Sequence, residues 1–207
     1  VHGRQRFHGR IAGVGSTSGV RVVVGRWDRS PMGAFADVML EQPDGHRVLL
    51  APDTAVAEFV SDTYVFDEVV VTGVDVSPVA GGMGEGWAVT AGELRLSFTV
   101  GRRAPLGWAL RALPTPVASS TAFATAADPV ARTLLRGVST RGQARSGRRE
   151  WYGALDLHRV TSLTGLWRGT DLGELAPVDP PCRFGFSSTP RAPGVTSVVT
   201  TVEVLAG

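Results

Sequence analysis

Apolar residues in this chain recur mainly at every second position or in short β-branched runs, a period that places alternate side chains on opposite faces of a strand. The runs Val20 to Trp27, Phe35 to Glu41, Arg47 to Leu50, Glu68 to Val76, Glu93 to Val100, Trp151 to Val160 and Ser197 to Leu205 are predicted strands. Glycine at 26 positions and proline at 13 supply turns between them, and Pro43-Asp44-Gly45 is the clearest hairpin signal. Only two segments carry helical signals. Asp53 is placed to cap Thr54 to Val60, where Val56, Phe59 and Val60 share one face. The other opens at Asp128-Pro129 and stops before Gly137. Many strands with few short helices predict a mainly β (α+β) fold, an antiparallel β-barrel or sandwich with helices plugging an end or edge, organised as a single domain over residues 1–207. The Gly-rich stretch Pro78 to Gly86 and the Pro-rich stretch Ala176 to Pro181 read as connections between strands. Gly13 to Gly19 reads as a turn before the first strong strand, because its glycines are misplaced for a dinucleotide fingerprint and no lysine follows.

Composition changes this picture in one respect. The formal net charge is only +2, and all 21 basic side chains are arginine; the chain has no lysine, no asparagine and a single isoleucine, Ile11. Those three residues share AT-rich codons, so a GC-rich genome accounts for the arginines, and the basic pI of about 9.3 does not call for a nucleic-acid partner. Without lysine no side chain can form a Schiff base with a carbonyl substrate. The single cysteine, Cys182, rules out an internal disulfide and reads as a small buried residue. The chain shows neither a leader pattern nor an apolar run of the roughly 18–20 residues that a membrane span needs, so a soluble cytoplasmic protein is expected.

Candidate chemistry is sparse. His2, His8, His46 and His158 lack zinc-ligand spacing, so neither a metal nor another cofactor is expected. His158 follows Asp156 by two residues, which points both to one strand face and makes an acid/base pair or a plain surface pair. No serine sits in a nucleophile elbow. Arg141, Arg145, Arg148 and Arg149 cluster around Ser146-Gly147, as an exposed hairpin or as a fork for phosphate or carboxylate.

One stretch carries more. A strand ending in Trp27-Asp28 leads to the turn Ser30-Pro31-Met32-Gly33, then the strand Phe35-Ala36-Asp37, the strand at Val48 to Leu50, the Asp53 helix, and Phe66-Asp67-Glu68. In order and spacing this resembles the acetoacetate decarboxylase-like family over Val20 to Val71. The resemblance implies a cone-like antiparallel β-barrel with an internal apolar cavity, often assembled into oligomers, with Asp37 in the place of the family's active-site glutamate. The adjacent lysines of that family stand here as Asp67 and Glu68, which removes Schiff-base decarboxylation. The expectation is a lysine-free relative that binds a small, largely apolar, carbonyl-containing molecule. Asp37, Asp67 and Glu68 would be its acid/base groups. Trp27, Phe35 and Phe66 would be its walls, with Arg26, Arg148, Arg149 and His158 as polar contacts. A ligand-free oligomeric scaffold and an arginine-lined binder of anions or nucleic acid are the alternatives.

Overall fold

The computed structural model describes residues 4–81, 84–118, 120, 141–143, 148–185 and 189–204. Four strands open the chain: β1 (Arg4–Ser16), β2 (Arg21–Arg29), β3 (Phe35–Glu41) and β4 (Arg47–Ala51). Helix α1 (Thr54–Ser61) follows, then β5 (Glu68–Val71), β6 (Val74–Gly81), β7 (Gly84–Ala91) and β8 (Leu94–Arg103). Two short helices, α2 (Pro105–Arg111) and α3 (Thr115–Ala118), precede β9 (Arg141–Gln143) and the long β10 (Arg148–Trp167). The short β11 (Thr170–Asp171) and β12 (Leu175–Ala176) lead to β13 (Gly194–Val204). All strands belong to one sheet in the order β5-β4-β3-β2-β1-β13-β10-β8-β7-β6, with β9, β11 and β12 paired alongside. The molecule is mostly β, and the sheet curls into a half-barrel until β3 touches β6.

Pairing is antiparallel except between β4 and β5, which run parallel because α1 carries the chain across between them. Asp53 caps that helix as its sequence position predicts, its Oδ1 accepting from the Val56 N–H at 2.8 Å. The hairpin between β3 and β4 turns at Gly45, whose φ of +92° lies in the left-handed region that favours glycine.

Several expectations are corrected. The segment Glu68 to Val76 is two strands, β5 and β6, broken at Thr72-Gly73. The Gly-rich stretch joins two strands as expected, but its described residues 78–81 and 84–86 are themselves paired in β6 and β7. Gly13 and Gly15 are not turn residues but lie within β1, a central strand that pairs with β2, β12 and β13. These glycines serve close packing: a Cβ on Gly13 would press on the Thr189 side chain, and one on Gly15 on the Pro177 carbonyl. The helix expected from Asp128 to Gly137 lies outside the described residues, while α2 and α3 carried no strong sequence signal.

Alternation along the first four strands serves two cores at once. Ala12, Val14, Val22, Val24, Val38, Leu40, Val48 and Leu50 point to the concave side, where they pack with Trp87, Val89, Leu94, Leu96, Phe98, Val160 and Trp167 from the far half of the sheet. The barrel interior is thus filled with side chains. The intervening residues on the outer face are covered by α1, which buries Leu49, Val56, Ala57 and Val60. Val178, Cys182 and Phe184 cover Ile11 and Val23 on that same face. This second layer is pinned by the fully buried Glu41. Its carboxylate accepts from the Arg183 backbone N–H at 2.6 Å and from Arg183 Nε at 2.9 Å, and pairs with Arg21 at 3.1 Å. Charge-assisted bonds of this kind hold a loop in register where apolar contact alone would let it slide.

Candidate functional site

The outer face is not sealed everywhere. Between α1, the segment that follows it, and strands β1, β2, β3, β10 and β13 lies a pocket enclosing about 540 Å3 of empty space, part of it open to solvent. Strand register explains its lining. Tyr152, Thr200 and Phe7 stand opposite one another across β10, β13 and β1. Ile11, Gly25 and Asp37 do the same across β1, β2 and β3, and Trp27 stands opposite Phe35. From above, α1 supplies Phe59 and Val60, and the turn after it Thr63 and Tyr64.

One wall is aromatic. Phe7 stacks on Phe59 at 5.0 Å between ring centroids and meets Trp27 edge-on at 5.8 Å, while Trp27 and Phe35 lie 6.3 Å apart. Beside this wall sits Asp37, only 4% exposed. Its Oδ1 accepts from the Trp27 indole N–H at 3.0 Å. Among the described residues Oδ2 receives no hydrogen bond and Asp37 makes no ion pair. Burial pushes the carboxyl up to about 6, with the Trp27 bond pulling the other way. Gly25 makes this arrangement possible, since a Cβ there would lie 2.8 Å from Trp27 Nε1 and closer still to Asp37 Oδ1.

A second carboxyl, Glu150 on β10, is 3% exposed and collects hydroxyl donors. Thr63 donates to Oε1 at 3.2 Å; the Tyr152 and Tyr64 hydroxyls lie 3.2 and 3.5 Å from Oε2 and in contact with each other, so their two protons serve two of these three contacts at a time. Burial first, then the neighbouring Glu150 charge, holds Tyr64 well above its ordinary range; burial, the Tyr64 neighbour and Glu150 do the same for Tyr152. Both tyrosines therefore remain neutral donors near pH 7. Thr200 Oγ1 is buried in the same lining without a hydrogen-bond partner. The pocket combines a rigid apolar wall, hydroxyl donors already committed to Glu150, and one carboxyl with an open oxygen.

Of the residues predicted from sequence, Trp27, Phe35 and Asp37 meet in this pocket. Phe66 is in the covering layer, 5.7 Å from the Phe184 ring, and is not in the lining. Asp67 and Glu68 are not brought to Asp37. Asp67 is held by a forked pair of bonds from Arg47 Nε and Nη2, both 2.9 Å, which lower its pKa well below the usual carboxylate range. Glu68 pairs with Arg168 and His46, with the Arg168 bond the main cause of its lowered pKa. Arg26 reaches Asp28 at 3.7 Å rather than Asp37. Arg149 is exposed; the Arg148 side chain and Arg145 lie outside the described residues. His158 sits elsewhere on β10, with Nε2 3.6 Å from Asp156, whose carboxylate is already engaged by Arg103 at 2.8 Å. The internal barrel cavity implied by the resemblance is also displaced. The pocket opens on the sheet's other face, and the concave side is packed.

Sequence reasoning missed Glu150, Tyr152, Thr200, Phe7, Phe59, Thr63 and Tyr64. The chain has only two tyrosines, and both hydroxyls meet here. Glu150 and Tyr152 stand two apart on a strand, which was a usable signal. No protein-family model, no curated protein and no solved structure matches this chain. Among the described residues no helix is long and apolar enough to cross a membrane.

Proposed function

We propose that the protein binds a small, largely apolar molecule in the outer-face pocket, with Asp37 holding the ligand's polar end. The observation that carries this reading is a buried carboxyl with one unengaged oxygen beside an aromatic wall in a partly open pocket. Holding a carboxyl this far from water is costly, and its Oδ2, unlike Thr200 Oγ1, is not sealed off without a partner but opens on the pocket. A packed structural core would replace it with an apolar residue; a binding site gains specificity from it. A carboxyl pushed up to about 6 is also suited to taking and returning a proton near neutral pH. Any turnover is therefore acid/base chemistry at Asp37, such as enolisation or hydration of a carbonyl compound.

Kinship with the acetoacetate decarboxylase-like family remains part of the proposal. Its support is the order of strand, Ser30-Pro31 turn, Asp37 strand, hairpin and capped helix. An arginine-lined anion or nucleic-acid site has less support, since no arginine is among the described residues that line this pocket. Native mass spectrometry of freshly purified protein tests the reading. A small molecule retained by the wild type and lost from Asp37→Asn is the expected result. No retained or titratable small ligand on either protein would favour the scaffold reading.

A further inference from the structure

We infer that the ligand is an organic cation, a small primary or secondary ammonium on an apolar body, with its N–H donors on Asp37 and its carbons against Phe7, Trp27, Phe35 and Phe59. This rests on the pocket being a binding site and adds the charge of what it binds.

Three observations support it. The first is an open acceptor: Asp37 Oδ2 receives no hydrogen bond among the described residues. An ammonium brings two or three N–H donors and no acceptor. The second is sign. Among the described residues the lining holds no arginine or histidine, and the Asp37 carboxyl makes no ion pair there. A ligand cation pairing with a desolvated carboxylate offsets the burial cost, whereas an anion would meet like charge. The third is the wall, where four aromatic rings gather beside Asp37, and a ring face turned to the pocket attracts a cation.

Among the described residues the titratable groups facing Asp37 are few. Tyr64 comes from the turn after α1, and Glu150 and Tyr152 come from β10; the lining residues of β1, β2, β13 and α1 carry none. Both tyrosines stay protonated through the neutral range, so they do not compete for the role.

The test uses three probes of similar shape, isopentylamine, 3-methylbutan-1-ol and 4-methylpentan-2-one, titrated into the wild-type chain by ligand-observed NMR. Asp37 is pushed up to about 6, so its ionised fraction, and with it amine affinity, should rise about tenfold between about pH 5 and about pH 8. Over that range the amine stays protonated. Asp37→Asn should lower amine affinity at least about tenfold at the higher pH and leave the alcohol nearly unchanged. If that variant fails to fold, the wild-type pH profile and the amine-to-alcohol ratio decide. Ketone or alcohol binding without amine binding overturns the cation inference and leaves the pocket standing. Amine binding that ignores both pH and Asp37→Asn overturns the assignment to Asp37. No binding of any probe overturns the pocket reading as well.

Discussion

Replacing Asp37 by asparagine should make the protein more stable than the wild type at alkaline pH and about equal to it at acid pH. In the folded chain burial raises the Asp37 carboxyl from its ordinary 3.8 to about 6. The native state then binds the proton more tightly than the unfolded state does, so stability contributed by this group is fully present below about pH 4 and is lost as pH rises through about 6. A separation of about two units at 1.36 kcal/mol per unit gives a loss of about 3 kcal/mol. Asparagine keeps the shape and the oxygen that accepts from Trp27, and it carries no charge to bury. Urea unfolding of both proteins at intervals from about pH 4 to about pH 8 measures the difference directly. Comparing variant with wild type removes the opposing trend from Asp67 and Glu68, whose lowered pKa values act equally in both. The variant should gain about 3 kcal/mol over that interval, most of it before pH 6.5. A difference that stays flat, or one that moves toward the wild type as pH rises, would show that Asp37 is not held in a desolvated site.

Gly25→Ala should destabilise by about 1–3 kcal/mol and weaken ligand retention, because the new methyl group displaces the Trp27 indole or the Asp37 carboxyl; thermal melts and the amine titration would show both effects. Asp67→Asn and Glu68→Gln should leave pocket binding unchanged, since both side chains pair with arginines outside the lining; altered affinity in either would return them to the site. Cys182 is buried and its thiol is pushed up to about 12, so in native protein at pH 8 it should resist a disulfide reagent that labels it fully in guanidinium.

Alternation and turn chemistry are local properties, and they were legible. The strands from Val20 to Leu50, the turn at Gly45 and the Asp53 cap follow from residues within a few positions of each other. The absence of lysine settles, from sequence alone, that no side chain can form a Schiff base. Asp37 was named through the order of motifs around the Ser30-Pro31 turn, and it does share a strand face and the pocket lining with Phe35. What local pattern did not reveal was which face encloses the pocket. Both faces of β1 to β4 are buried, so an inward Phe35 was read as pointing into the barrel, whereas it points outward beneath α1. Strand β1 was hidden because its glycines look like turn signals, and only the Thr189 side chain against Gly13 and the Pro177 backbone against Gly15 reveal that they permit close approach. Asp67 and Glu68 drew attention as neighbours of Phe66, but Arg47 and Arg168 claim them on the surface. Tyr64 and Glu150 are far apart in the chain and meet only because β10 joins β13, and β13 joins β1. Their partnership is a product of sheet order, which depends on long-range pairing and the total burial it achieves, and no short stretch of sequence encodes it.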